Sequence, residues 1–439
     1  MGGLLVSTSL AQKNSVKSNN SPTQKATTPT DSLLKTMLNQ VNFRMIGPAT
    51  TSGRIVDIAV NPLNKAEYYV AAAYGGVWKT NNGGVTFKPI FDSYGTQSIG
   101  CLALDPKNPN AIWVGTGENN NQRSVGYGNG IYRSLDGGKS FQNMGLKQSE
   151  HIGMIKIDPT NSSKIWVAVY GPVWKQGGER GLYLTEDAGK TWTRAHHVSD
   201  KTGCNEIHLD PHMPGTMYAA FHQRMRHEWT YLGGGPESAL YKSTDNGKTW
   251  KKLAGGFPSG DVGRITITAS PLKAGLVYAM VEAEEGKGGI YVSYDYGESW
   301  TKQNSFYTAG NYYQEIIIDP TNANRFFIMD TYLKLSEDGG KTLKNAGETN
   351  KHVDNHALWM IHHNLNIGLW DAMVDCTKPL TMLSIGILKT TSPLLNSIEH
   401  RWITHRLSIT YMVVHKTIIL WAAHPEIIQP MALVTTSGM

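Results

Sequence analysis

One short segment recurs six times and constrains this chain more than any other feature. It reads T-N-N-G-G-V-T-F (Thr80 to Phe87), S-L-D-G-G-K-S-F (Ser134 to Phe141), T-E-D-A-G-K-T-W (Thr185 to Trp192), S-T-D-N-G-K-T-W (Ser243 to Trp250), S-Y-D-Y-G-E-S-W (Ser293 to Trp300) and S-E-D-G-G-K-T-L (Ser336 to Leu343). The third positions, Asn82, Asp136, Asp187, Asp245, Asp295 and Asp338, are 54, 51, 58, 50 and 43 residues apart. That period suits one propeller blade per repeat. The chemistry is that of a turn: the carboxylate accepts backbone N–H groups, the glycine supplies φ > 0, and the last residue packs between sheets.

A second landmark precedes each segment, at Asn61, Asp105, Asp158, Asp210, Ser270 and Asp319, each followed by proline. It ends an alternating strand such as "MIKIDP" and is followed by a short strand such as "IWVAV". A unit therefore reads strand, corner, strand, strand, turn, strand. Repetition of such units predicts an all-β fold, a β-propeller of four-stranded antiparallel blades with six recognisable repeats and a truncated seventh.

Composition agrees, with 46 glycines and 32 tryptophans plus tyrosines. The net charge of +6 is no nucleic-acid signature, because half of it comes from the first forty residues. Three distant cysteines, Cys101, Cys204 and Cys376, indicate neither a zinc site nor a disulfide framework. No stretch of 18 apolar residues occurs, so no membrane span is expected by hydropathy. Residues 1–40 look like a truncated secretory signal followed by a disordered Ser/Thr/Asn/Lys linker, which predicts a secreted or periplasmic protein.

The six segments resemble the Asp-boxes of bacterial neuraminidase repeats, two-propeller xyloglucanases and sortilin-type receptors. "FRMIGPATTSGRIVDIAVNP" and "GTGENNNQRSVGYGNGIYRSLDGGKSF" are most similar to the sortilin-like N-terminal propeller of large secreted bacterial proteins. The resemblance covers residues 41–359. It implies that Asn82, Asp136, Asp187, Asp245, Asp295 and Asp338 are structural and lie away from the ligand site.

After Trp359 the pattern stops: residues 360–439 hold 3 glycines, against 43 before them. A one-base slip of the reading frame explains this. Read one base over, Met360–Ile361 gives Asp, and Trp370–Asp371 and Met373–Val374 each give Gly. A seventh box, T-F-D-N-A-V-N-W, then falls with its Asp near position 381, 43 residues after Asp338. The tail is expected to be no native domain, and the ring of blades to be open and prone to aggregation. The nucleotide sequence at codon 360 tests this.

Propeller ligands bind among inter-strand loops, so the longer insertions hold the candidates. "GTGENNNQRSVGYG" offers Glu118 and Arg123, with Asn119 and Tyr127. "YGPVWKQGGER" offers Trp174, with Glu179 and Arg180. "FHQRMRHEWTYLGGGPES" offers Arg224, Arg226 and Trp229, with His222 and Glu228. For these loops a structural role, with Arg and Glu in surface or inter-blade ion pairs and Trp rings over sheet edges, is favoured over ligand binding. His352, Asp354 and His356 alternate and are expected on one face of a channel-lining strand, where a polar structural role is favoured over metal binding. Neither metal nor cofactor is expected.

Glycosidase chemistry needs two opposed carboxylates, and no pair identifies itself. The first-blade T-D-x-G-G motif of xyloglucanases corresponds to "AAYGGVWK", which puts Ala73 where their catalytic Asp would stand. The reading is an exported binding module for a peptide, protein or glycan, with a xyloglucanase-like glycoside hydrolase as the alternative. Neither nucleic acid nor membrane is an expected partner.

Overall fold

The computed structural model describes residues 54–346 except 123, 285 and 314, residues 353–360, and the backbone of two strands, Gly368–Ala372 and Ile385–Leu388. Among the described residues there is no helix, and six four-stranded antiparallel blades stand in a ring. In the first blade Ile55–Val60, Tyr68–Ala72, Gly76–Thr80 and Lys88–Pro89 pair in sequence order from the inner edge outward. The fourth blade adds a hairpin, Met225–Arg226 with Tyr231–Leu232, between its second and third strands. Outer strands have two to four residues and are mostly polar, such as the exposed Lys251–Lys252. Short charged edges resist pairing with other chains.

The recurrent turn is built identically in each blade. Ser134 Oγ accepts the N–H of Gly138 at 2.9 Å and donates to Asp136 Oδ1 at 2.8 Å. Asp136 in turn accepts the N–H of Ser140 at 2.9 Å and its hydroxyl at 2.6 Å. Asn82 fills the same place uncharged, accepting the Thr86 N–H and donating to Thr86 Oγ1, both at 2.9 Å. Two consecutive residues, rather than one glycine, take positive φ. The first tolerates a side chain, as Ala188, Asn246 and Tyr296 show at φ 58–62°. The second is glycine in all six turns. A Cβ at Gly138 would lie 2.6 Å from Ile90 Cδ1, and one at Gly189 2.8 Å from Trp113. The first of the two donates its N–H to the corner of its own blade, as in Gly137 to Asn110 (3.0 Å) and Tyr296 to Gly275 (3.0 Å).

Corners span seven residues in the first, second, fourth and fifth blades, whereas Asp158 pairs with Asn161 and Asp319 with Asn322 across tight turns. Their first side chain accepts the N–H two residues on. Examples are Asp105 with Lys107 (2.9 Å), Asp210 with His212 (2.9 Å) and Asp319 with Thr321 (2.7 Å). The residue closing each turn reaches the preceding blade. Trp192 meets Trp113 edge-on, with centroids 6.5 Å apart, and its indole N–H donates to Met144 O at 2.7 Å. Trp300 packs with Tyr218 and Phe257. The hydrophobic cores thus lie between blades, so each blade is stable only with its neighbours.

Two sequence expectations are corrected. The ring is not open at its inner edge: Asn355–Met360 begins a seventh, three-stranded sheet between the sixth and first blades. Ala357 packs with Ile58, Tyr68 and Trp78 of the first blade, and Leu358 with Phe327 and Leu335 of the sixth. The second correction concerns Asp354 and His356, which do not share a strand face. The strand starts at Asn355, and Asp354 precedes it at φ 73°, its N–H bonded to Thr331 O at 2.8 Å. His352, Arg123, the FRMIG segment, Cys376 and most of the 360–439 tail lie outside the described residues.

Candidate ligand site on the loop face

Antiparallel pairing puts all corners and recurrent turns on one face of the ring. The connections between second and third strands, and those between blades, occupy the other. The three long insertions lie on this second face, where they form a polar network across its centre. Asn121 donates its backbone N–H to Asn311 O at 3.0 Å, so the second-blade insertion reaches the segment entering the sixth blade.

Arginines hold that strap from below. Arg224, fully buried, donates to Asn120 O at 2.9 Å, Gly171 O at 2.7 Å and Asn121 Oδ1, and stacks 3.3 Å from the Tyr170 ring centroid. Arg226 Nε donates to Asn121 O at 2.6 Å, with its guanidinium over Tyr231. Arg180 ties down the third-blade insertion through Tyr170 O (3.0 Å), Lys175 O (2.9 Å) and Pro172 O. Burial pushes Arg224 down to about 9 and Arg180 to about 10. His222, bonded to the Tyr170 hydroxyl, is driven by burial to about 3 and is neutral. Backbone carbonyls and an amide hold Arg224 and Arg226.

Glu118 is likewise buried. It is ion-paired with Arg54 and accepts Asn120 Nδ2 at 3.2 Å and the Gly126 N–H at 3.1 Å. The sequence leaves Glu118, Arg224 and Arg226 open to ligand binding or to a structural role in ion pairs. All three are buried, because the strap needs internal hydrogen-bond partners. Ala73 is buried, with its N–H on Arg54 O at 2.9 Å.

A cavity opens beside the strap, lined by Arg54, Asn119, Arg264, Tyr312, Tyr313, Glu315 and His356, with Val56 and Met329 beneath. Arg54 Nη1 faces Glu118, whereas its Nη2 is buried with no protein partner, as is His356 Nε2. Tyr313 stacks on His356 (5.1 Å, 17°) and Tyr312 meets it edge-on at 4.7 Å. Burial holds His356 well below the usual histidine range, so it is neutral. Glu315 is the one carboxylate among the described lining residues, and burial raises it to about 8. At neutral pH the cavity therefore presents hydrogen-bond donors and a largely protonated acid.

Sequence reasoning missed Arg54, Arg264, Tyr312, Tyr313 and Glu315. A signal existed. Counting back four residues from each corner reaches Asp57, Cys101, Met154, Glu206, Thr266 and Glu315, which share one register against the second strands. Asp57 is consumed structurally, accepting the N–H groups of Ile58 and Leu102 at 2.8 Å. Glu206 accepts Thr266 Oγ1 at 3.1 Å and the Ile267 N–H at 3.2 Å.

The same face carries exposed aromatic rings, one from each blade or the connection that follows it. They are Tyr74, Tyr127, Trp174, Trp229, Tyr307 and Tyr332, and Trp229 is 81% exposed. Tyr127 leans on His151 (5.6 Å), and Trp229 lies flat on His227 (5.6 Å, 13°). On the opposite face the exposed large residues are mostly aliphatic: Leu63, Val85, Leu135, Met213 and Leu272, with Tyr294. Of the candidates, Trp174 and Trp229 are among the exposed rings of the loop face, His356 lines the cavity, and Asp354 accepts the Tyr313 hydroxyl at its rim. No group of three or more metal-ligating side chains occurs among the described residues.

The family model described as Sortilin, neurotensin receptor 3 (Sortilin-Vps10) matches residues 129–264. An oligoxyloglucan-reducing end-specific xyloglucanase of Emericella nidulans is 21% identical over 371 residues, covering 70% of this chain and 42% of that protein. A xyloglucanase of Hypocrea jecorina is 26% identical over 241 residues, covering 48% of this chain and 27% of that protein. The chain thus spans less than half the length of these curated relatives. The crystal structure of the GH74 xyloglucanase from Xanthomonas campestris superposes with a TM-score of 0.55 at 16% identity, over 79% of this chain and 54% of that one. The chain is a β-propeller related to the xyloglucanases and similar to the sortilin model over its third and fourth blades.

Proposed function

We propose that this protein is an exported binding module that holds a glycan on its loop face. Six exposed aromatic rings on the face that also holds the polar cavity carry this reading. Aromatic faces stack on the C–H faces of sugars, while fixed polar groups set orientation. The cavity's buried unpaired groups, the Arg54 Nη2 donor and the His356 Nε2 atom, suit a ligand hydroxyl, because an unmatched buried polar group costs about 1–3 kcal/mol. Relatives named xyloglucanases support a carbohydrate over a peptide or protein ligand.

Those names also motivate a second reading, a glycoside hydrolase. Against it, Glu315 is the single carboxylate among the described cavity residues, and Glu118 is committed to Arg54. Hydrolysis across a cleft calls for two opposed carboxyl groups. A glycan-array screen with reducing-sugar release separates the two. Binding without release, weakened at least tenfold in a Tyr127→Ala/Trp229→Ala double variant, is the expected result. Release above background that disappears in Glu315→Gln would establish the hydrolase instead.

A further inference from the structure

We infer that Glu118 sets the charge selectivity of the axial cavity and makes it a site for an uncharged hydrogen-bond acceptor; this rests on the binding reading above. Arg54 is the geometric reason. A guanidinium offers its two terminal nitrogens as a fork that fits both oxygens of a carboxylate. Here Glu118 Oε1 occupies Nη1 from within the protein, and only Nη2 remains buried and unmatched beside the cavity. One donor of a neutralised pair is left where a fork would otherwise stand.

Glu118 is fixed in that role from all sides. Asn120 Nδ2 and the Gly126 N–H hold its two oxygens, and its own N–H bonds Ser98 Oγ at 3.2 Å and Gly126 O at 3.1 Å. Its carbonyl is bonded to the ring of the buried His151 at 2.8 Å. The guanidinium of the second cavity arginine, Arg264, is engaged through Nη1 with Tyr313 O at 3.2 Å, and Glu282 Oε2 accepts the Arg264 backbone N–H at 3.3 Å. A ligand carboxylate entering here would meet a guanidinium already neutralised by the Glu118 carboxylate. A hydroxyl or carbonyl oxygen needs only Nη2. The site therefore discriminates by repelling the wrong ligand as well as by fitting the right one.

A matched probe pair tests this on the 439-residue chain: a β-linked glucose tetrasaccharide, and the same tetrasaccharide with its terminal sugar oxidised to the uronic acid. Wild type is expected to bind the neutral probe at least tenfold more tightly by calorimetry at pH 7. Glu118→Gln keeps the side chain's shape and should bring the acidic probe level with the neutral one or beyond it. Should Glu118→Gln fail to fold, Arg54→Gln supplies the reading. With the Glu118 carboxylate uncompensated and Nη2 gone, it should bind the neutral probe more weakly than wild type and still prefer it over the acidic one. Equal binding of both probes by wild type, or no gain for the acidic probe in Glu118→Gln, overturns the inference and leaves the binding reading standing. Binding of neither probe to any of these proteins overturns both.

Discussion

Asn121 and Asn311 are 190 residues apart in sequence, yet the N–H of one meets the carbonyl of the other at 3.0 Å across the loop face. The strap they anchor depends on Arg224, whose guanidinium satisfies Asn120 O, Asn121 Oδ1 and Gly171 O. Arg224→Ala leaves several buried acceptors unmatched at about 1–3 kcal/mol each. It should lower the urea midpoint by the equivalent of about 3 kcal/mol or more. An unchanged midpoint would mean that the strap is not held this way.

The two positive-φ positions of each turn should respond differently to a side chain. A Cβ added at Gly83 would have nothing within 4 Å, and the counterparts of Gly83 are already Ala188, Asn246 and Tyr296. Gly83→Asn should therefore cost under about 1 kcal/mol. Gly340→Ala would press on Ile290 at 2.9 Å and Phe326 at 3.1 Å, adding about 1–3 kcal/mol of overpacking to the backbone strain. Thermal melts of the two variants give the comparison.

Acid should weaken the turns. Hydrogen bonds from Thr249 and Thr342 hold the carboxyls of Asp245 and Asp338 at about 2, below an unfolded value near 3.9. A depressed folded pKa contributes stability that is present above the unfolded value and lost as pH falls through the folded one. Between about pH 4 and 2 the melting temperature should drop. Asn82→Asp, which supplies the missing charge in the first turn, should raise the melting temperature at pH 7 and steepen that drop.

Glu315 has the opposite sign. Its folded pKa of about 8 lies above the unfolded value near 4.3. Its contribution is full below pH 4 and is lost as pH rises through 8. Glu315→Gln should melt higher than wild type at pH 8 and match it at pH 4. A variant less stable at pH 8 would show that the ionised carboxylate is held by partners instead.

Ring closure rests on Leu358, buried against Phe327, Met329 and Leu335. Leu358→Ala should cost about 2–5 kcal/mol, whereas Trp229→Ala, at a ring 81% exposed, should leave the melt unchanged and affect ligand binding alone.

Local chemistry made the blades legible without coordinates. A Ser/Thr hydroxyl, a carboxylate four residues from the next hydroxyl, and a glycine in the left-handed region form a turn from their own contacts. An Asx corner of seven residues needs nothing beyond its own N–H groups. Those interactions span fewer than ten residues, so sequence alone determined the blade, its strand order and its repeat. The site was not legible in that way. Glu118, Arg224 and Arg226 could be read as ligand-binding or as structural, because their partners, Arg54, Asn120 and Asn121, lie up to 105 residues away in the chain. Arg54 and Arg264 became neighbours of one cavity only when inner strands from the first and fifth blades converged on the axis. Which polar groups are consumed inside the protein, and which are left facing a ligand, was decided by closure of the ring, because burial and pairing across the axis are properties of all the blades together.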